Sequence, residues 1–472
     1  MAEHDLIVVG GGTAGLVASA GAAGIGARVA LIEQDRLGGE CLWTGCIPSK
    51  ALIACARAAH AAATAQRFGV DVPTVGVDFG RVMQWVREAQ RRIEPHDSPE
   101  RFRSLGVDVV SGTARFIGER TLRVDGRVMT AKRVVVATGS KPAVPPIDGL
   151  AEVPFLTNET VFSLEHRPET LLVLGAGPVG LELAQAFARL GTTVHVVEQE
   201  SRFLPREDEE LAGLLAERLA AEGVEILLDT TVTGVSREGR AIRLSARRGD
   251  GTFVTVEGDT LLAAAGRVSN VAPLETGKAG VETGKAGVMV DDRLRTTADG
   301  VWAAGDVTGA LRFTHVADYQ ARLVVRNAFF PLAAKADYSA VPWVTFTDPE
   351  MAHVGLTERE ARDRHGDGVR VWRRPFGGVD RAIADGETCG MVKLVTDRKG
   401  KILGGHILGH GAGNMIVEIA LAMKHGISAA TLGTTTHAYP TYPEAIKQAA
   451  EGYYKSRFRG PLRTIARWFA RR

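Results

Sequence analysis

Short, uninterrupted apolar runs that end on glycine occur twice along this chain, at residues 6–9 and 171–174. Such runs predict strands buried in a parallel sheet. In the first, Gly10, Gly12 and Gly15 make a turn into an alanine-rich helix, and a second strand at 29–32 ends on Glu33. In the other, Gly175, Gly177 and Gly180 lead into a helix over 181–190, and the strand 194–197 ends on Glu198. Two Rossmann-type units follow from this repetition. Residues 134–140 read as a strand running into a tight turn, and the proline-rich stretch 141–146 suits a linker with a hinge near Pro142. The chain crosses back near Gly266 and Arg267, after a strand at 260–264. A heptapeptide at 275–281 recurs without change at 282–288, and its glycines exclude a stable helix, which predicts a duplicated surface loop. From about residue 341 the pattern turns to strands with alternating residues, such as 391–395 and 402–407, followed by helices over 415–425 and 444–454. The expected fold is α/β: two Rossmann-type units, one discontinuous over 1–150 and 266–335 and one over 151–265. An α+β unit over 336–460 and a tail over 461–472 complete it.

The length of 472 residues suits about three domains of this kind. A formal charge of +2, with no recognisable nucleic-acid module, excludes an electrostatic nucleic-acid binder. Four cysteines in so long a chain are no secreted disulfide framework. The apolar stretch 6–32 is expected to be neither a leader nor a membrane span, since its glycines fall at phosphate-loop spacing and Arg28 interrupts it. A reducing, cytoplasmic setting is expected.

Each glycine triplet follows a strand, opens a helix and has an acid at the end of the next strand. The glycines let backbone approach a pyrophosphate, the helix N-terminus stabilises its charge, and Glu33 and Glu198 accept from ribose hydroxyls. Two nucleotides are therefore expected. Directly after the first unit, Cys41 and Cys46 stand five positions apart in a glycine-rich string. In a regular helix their Cα atoms lie about 8.6 Å apart, whereas a disulfide needs less than about 7 Å. The segment must be distorted, as Gly39 and Gly45 permit, with a helix continuing from about Ser49. A thiolate near a helix N-terminus is stabilised by the helix dipole, which suits an exchangeable thiol.

The string from Cys41 through Lys50, with both glycine motifs, resembles the flavoprotein disulfide reductases, the class I pyridine nucleotide-disulfide oxidoreductases, over nearly the whole chain. The resemblance implies FAD on the first unit, NADH or NADPH on the second, and a third unit that forms a homodimer with shared active sites. It implies that Cys41 is the interchange thiol that meets substrate, and that Cys46 contacts the flavin in a charge-transfer complex. Lys50 is implied near flavin N5, paired with Glu182. Thr138 and Gly139 resemble the family's turn beside FAD, and residues 296–306 resemble its second FAD motif, with Asp306 accepting from the ribityl chain. Gly266 and Arg267 are counted with the cofactor-binding residues. Glu198 favours NADH, because it would repel a 2′-phosphate, while Arg202 nearby pulls the other way.

The C-terminal motif departs from relatives acting on glutathione or lipoamide, which carry a histidine directly before proline. Here Tyr439 holds that place, Glu444 fits the family glutamate, and His437 lies two residues early. A phenol titrates near 10 and an imidazole near 6.5, so tyrosine is a poor base at neutral pH. The chain resembles the mercuric reductase-like branch, related to dihydrolipoyl dehydrogenase, yet lacks that branch's C-terminal cysteine pair. The expected acceptor is a soft metal ion such as Hg(II) or Cu(II), or a small disulfide. Two alternatives stand beside it: a dihydrolipoyl dehydrogenase of a multienzyme complex, and a peripheral membrane electron-transfer flavoprotein. The last rests on the basic tail, where Leu462, Ile465 and Phe469 share one helical face and Arg463, Arg467 and Arg471 another, a pattern suited to an anionic membrane surface at the inner face of the membrane.

Overall fold

In the computed structural model, which describes residues 2–309, 311–457 and 467–470, each glycine-turn unit builds a parallel sheet. The first runs in the order Val301–Ala303, Val134–Val136, Leu6–Val9, Val29–Glu33, Val107–Ser111. The second runs Val224–Leu227, Thr193–Val197, Thr170–Leu174, Thr260–Ala263, and Leu156 adds a single bridge to Leu262 at its edge. Every residue of Leu6–Val9 is buried, because helices cover the sheet faces. Helices Thr13–Gly24 and Pro178–Arg189 open on the two glycine turns. The latter starts three residues before the apolar periodicity does, since proline suits a first turn where no N–H is needed.

The two crossings between the units meet each other: Ser140–Pro142 pairs antiparallel with Arg267–Ser269. The crossing expected to hinge near Pro142 is paired with the second crossing in a two-stranded ladder, which brings Arg267 beside Ser140. The duplicated heptapeptide is also more than a surface loop. Its first copy forms the 3-10 turn Thr276–Ala279 and its second the hairpin of Thr283–Gly284 with Gly287–Val288, while Val281 and Val288 are both buried in the core under the first sheet.

The C-terminal sheet is antiparallel, in the order Pro342–Thr345, Glu350–Gly355, Ile402–Gly409, Met391–Thr396, Arg370–Pro375. Its central strands do not alternate; Ile402–Gly409 is buried along nearly its whole length. One face packs Ile407 against Met415, Ile416 and Ile419 of helix Ala412–Lys424, and the other sends Met351 and Leu408 into the core of the second unit with Phe187 and Leu219. Buried Lys393 links the same two units, its Nζ 2.9 Å from carboxylate oxygens of Asp208, Glu210 and Glu358. In the tail, Leu462, Arg463, Ile465 and Arg471 lie outside the described residues, and Arg467, Trp468 and Phe469 are exposed. No helix among the described residues is long and apolar enough to cross a membrane.

Candidate active site

The two glycine turns share one geometry. A Cβ on Gly10 would fall 2.4 Å from the Ala137 carbonyl oxygen, and one on Gly15 1.8 Å from that of Gly10. Gly175 and Gly180 are packed in the same way, against Ala264 O at 2.8 Å and Gly175 O at 2.2 Å. The middle residues, Gly12 and Gly177, face open space and cap their helices with no side-chain hydrogen bond. Each helix therefore offers unsatisfied N–H groups to an anion at a point where no side chain intrudes, a cradle that fits a dinucleotide pyrophosphate. The acids match as well: Glu33 accepts from Gly11 N at 2.6 Å and Asp35 N at 2.8 Å, and Glu198 from Ala176 N at 2.7 Å and Glu200 N at 2.9 Å. Both carboxylates are held at the mouth of their turns.

The thiols ride on separate helical pieces. Cys41 lies in Gly39–Trp43 and Cys46 opens Cys46–Ala63, three residues earlier than the expected helix start, with the break at Thr44 and Gly45. Gly45 is needed there because a Cβ would meet Glu40 O at 2.9 Å. Both cysteines are half-buried. The Cys41 thiol donates to Cys46, which drives the Cys46 pKa down to about 6, helped by Thr314 Oγ1 at 3.2 Å and the charge of Lys50 against the effect of burial. The same hydrogen bond and burial push Cys41 well above the ordinary thiol range. The contact thus favours the anion on Cys46 over Cys41.

Lys50 Nζ donates to Glu182 Oε2 at 2.8 Å, and the other oxygen of Glu182 accepts from Phe346 N at 2.8 Å. Glu182 is 6% exposed, and half-buried Lys50 reaches it from the redox helix. It ties the redox helix, the second unit and the C-terminal unit at one point. Asp306 accepts from Ser140 Oγ at 2.6 Å, and Arg267 Nε donates to the same hydroxyl at 2.8 Å. Arg267 also forks onto Glu40, with Nη1 donating to Oε1 at 2.7 Å and Nη2 to Oε2. Burial raises the Glu40 pKa while Arg267 lowers it. Thr138 Oγ1 donates to Asn270 O at 2.6 Å, beside Gly139 at φ +68° and before Gly266 at φ +124°. Glu40, Ser140, Asn158 and Thr314 were not singled out from the sequence. Glu40, directly before Cys41, was open to notice, but nothing local marks the other three.

In the C-terminal motif, Tyr439 is 70% exposed and its hydroxyl donates to Asp380 Oδ2 at 2.9 Å, a contact that raises its pKa further. His437 has both ring nitrogens engaged, Nδ1 with Thr435 O at 3.0 Å and Nε2 with Glu418 Oε1 at 2.8 Å. Glu444 begins helix Glu444–Arg457. Within one chain, Tyr439 and His437 thus contact different partners, Asp380 and Glu418.

A family model described as pyridine nucleotide-disulphide oxidoreductase matches residues 4–321, and one for the dimerisation domain of that family matches residues 341–450. A mercuric reductase of Streptomyces lividans is 37% identical over 460 residues, covering 95% of this chain and 96% of that protein. A dihydrolipoyl dehydrogenase of Geobacillus stearothermophilus is 32% identical over 455 residues, covering 95% and 96%. Among solved structures, the Cu(II) complex of the HOCl-induced flavoprotein disulfide reductase RclA from Escherichia coli superposes with a TM-score of 0.86 at 30% identity, covering 96% of this chain and 99% of that one.

Proposed function

Since this chain belongs to the pyridine nucleotide-disulphide oxidoreductase family, an FAD-dependent family of enzymes, we propose that it takes electrons from NADH and delivers them through Cys41 and Cys46 to a soft metal ion or a small disulfide. The observation that carries this reading is the polarised thiol pair, with Cys46 held as a thiolate by Cys41, Thr314 and Lys50. FAD, when bound, supplies the two-electron relay between nicotinamide and disulfide. The residues that would hold it are Gly10, Gly12, Gly15 and Glu33 at its pyrophosphate and ribose ends, with Thr138, Gly139 and Asp306 further along. On the second unit Gly175, Gly177, Gly180 and Glu198 would hold NADH. Glu198, which would repel a 2′-phosphate, supports NADH over NADPH.

Reduction opens the Cys41–Cys46 disulfide with two electrons and one proton, the equivalent of one hydride, leaving the Cys41 thiol and the Cys46 thiolate. In the oxidising half, the Cys41 thiol loses its proton, the S–S bond re-forms, and two electrons reduce one Hg(II) to Hg(0), or two Cu(II) to Cu(I). A soft cation binds thiolate sulfur and needs no proton delivered to it. A disulfide acceptor does need one, and His437, with both nitrogens engaged, is badly placed to supply it. The mercuric reductase relatives and the Cu(II) complex of the structural neighbour support the metal reading. We further place Tyr439 and Glu444 at the Cys41 side of a partner subunit, with a second copy covering exposed Val417, Leu421 and Tyr439.

The test is an anaerobic NADH titration followed by addition of Hg(II)- and Cu(II)-thiol complexes, lipoamide and oxidised glutathione. Metal complexes should reoxidise the enzyme with the larger kcat/KM, and the disulfides should lag by about 10²-fold or more, the usual worth of a general base. Efficient lipoamide turnover that survives Tyr439→Phe would overturn the reading in favour of a dihydrolipoyl dehydrogenase with His437 as base.

A further inference from the structure

Because the thiols sit on two helical pieces with a break between them, no regular helix sets the approach of Cys41 to Cys46. The Cys46 helix is anchored through Lys50 to Glu182. The Cys41 piece is held from outside. Gln90 Nε2 donates to the carbonyls of Leu42 at 3.1 Å and Trp43 at 2.8 Å. Asn158 Nδ2 donates to Glu40 Oε1 at 2.7 Å and to the carbonyl of Thr44 at 3.2 Å. Glu40 lies in the first turn of that piece and Thr44 is its C-terminal cap, so one amide holds both of its ends.

Asn158 is 8% exposed, and it comes from the second sheet, not from the unit that carries the thiols. Leu156, two residues before it, bridges Leu262 at the sheet edge, and the strand Thr260–Ala263 beside it runs out towards Arg267. The two donors on the Glu40 carboxylate, Asn158 and Arg267, therefore leave one edge of one sheet. Arg267 supplies charge. Asn158 supplies the only neutral side-chain donor, among the described contacts, that also reaches the Thr44 carbonyl.

We propose that Asn158 is a positioning residue for the thiol pair, holding the Cys41 piece from the edge of the second sheet so that the Cys41 thiol points its proton at the Cys46 sulfur. This rests on the reading of Cys41 and Cys46 as the redox pair. Without the amide, the Thr44 carbonyl loses its donor beside the break and the piece can turn about Gly45. The hydrogen bond into Cys46 then weakens, and its thiolate loses its principal stabiliser.

The experiment uses FAD-loaded protein, reduced anaerobically with NADH and alkylated with iodoacetamide across a pH series, with modified cysteines located by mass spectrometry. In Asn158→Ala the midpoint of the alkylation profile should move upward, by the amount that corresponds to an about two- to tenfold weaker thiol acid, the worth of one neutral hydrogen bond. Asn158→Gln, which keeps the amide, should recover part of the shift. A profile that superimposes on the wild type's overturns the proposal, even with a lowered thermal midpoint, because a merely structural residue would change stability and leave thiol titration alone. Should Asn158→Ala not fold, Asn158→Ser, with one donor for two acceptors, decides by the same criterion. Failure of the underlying reading looks different: NADH would then release no thiols in the wild-type protein itself.

Discussion

At the scale of single residues, the site runs on one hydrogen bond between two thiols. The donor is pushed up and the acceptor down to about 6 by the same contact. Alkylation of Cys46 in the reduced enzyme should accordingly rise through about pH 6 and level off above it, well below an ordinary thiol, which titrates near 8.5. Replacing Lys50 with Met removes a nearby cation, so that midpoint should move up; an unmoved midpoint would show that Lys50 has no part in holding the thiolate. In Cys41→Ser, Cys46 remains to contact the flavin and should show a long-wavelength absorption band without added reductant. Finding the band in Cys46→Ser instead would reverse the two roles. Glu198→Ala should bring NADPH kcat/KM closer to that of NADH, since the repulsion between carboxylate and 2′-phosphate is removed. An unchanged ratio would take the discrimination away from Glu198.

At the scale of elements, the same seven residues fold in two ways because their neighbours differ. The first copy closes a 3-10 turn whose Ala279 packs into the core. The second forms a hairpin against the Asp306 loop, where Ser269 Oγ donates to Ala286 O at 2.7 Å and a Cβ on Gly287 would meet Val307 O at 2.0 Å. Deleting either copy yields one and the same chain, which must forgo one of these arrangements and one of the buried valines. That chain should lose about 2–4 kcal/mol, on the scale of emptying a core position, measured as a fall in urea midpoint. Equal stability would mean that one copy serves as well as two. A different element-level device is the Lys393 cluster. Burial raises the Glu358 pKa, but Lys393 and Arg362 outweigh that and bring it to about 2. A carboxylate depressed in the folded state adds stability above its unfolded pKa of about 4.3 and loses it as pH falls towards 2. The wild type should therefore weaken over that window. Lys393→Met, which leaves three carboxylates without their shared cation, should be destabilised at neutral pH by about 3–5 kcal/mol and should show a flatter acid dependence.

At the scale of the whole molecule, three units meet at Glu182, which joins Lys50 to the backbone of Phe346. A second seam runs through Arg189, which donates to Glu222 at 2.7 Å and to Asp348 at 2.6 Å while almost wholly buried. These joints make the second unit and the C-terminal unit one support for the thiols. The dimerisation domain matched at residues 341–450 extends the assembly to a homodimer, and Val417 and Leu421 stand 56% and 55% exposed on helix Ala412–Lys424. The double change Val417→Asp with Leu421→Asp should shift the protein to monomer in sedimentation velocity. It should abolish acceptor reduction while leaving NADH reduction of the flavin. Full acceptor turnover by the monomer would mean that each site is complete within one chain.

The periodicities determined the elements. Continuous apolar runs ending on glycine could only be buried strands beside a close backbone approach, and both parallel sheets, both turns and both terminal acids were legible from them, as was the distortion between Cys41 and Cys46. Those features are local, set by sterics and by the period of side-chain burial. What tertiary structure decided is what joins distant segments. Asn158, Thr314 and Ser140 carry no motif, and each matters only because a sheet edge or helix start brings it to the thiols or to Asp306. The pairing of the two crossings, which put Arg267 on Glu40, depended on two segments far apart in the chain. The burial of both faces of Ile402–Gly409 came from a neighbouring unit its own pattern does not mention, and the partners of His437 and Tyr439, Glu418 and Asp380, came from other segments. Side-chain type and spacing fix what a segment can be; which partners it meets is set by packing between units, and the thiol chemistry rests on those partners.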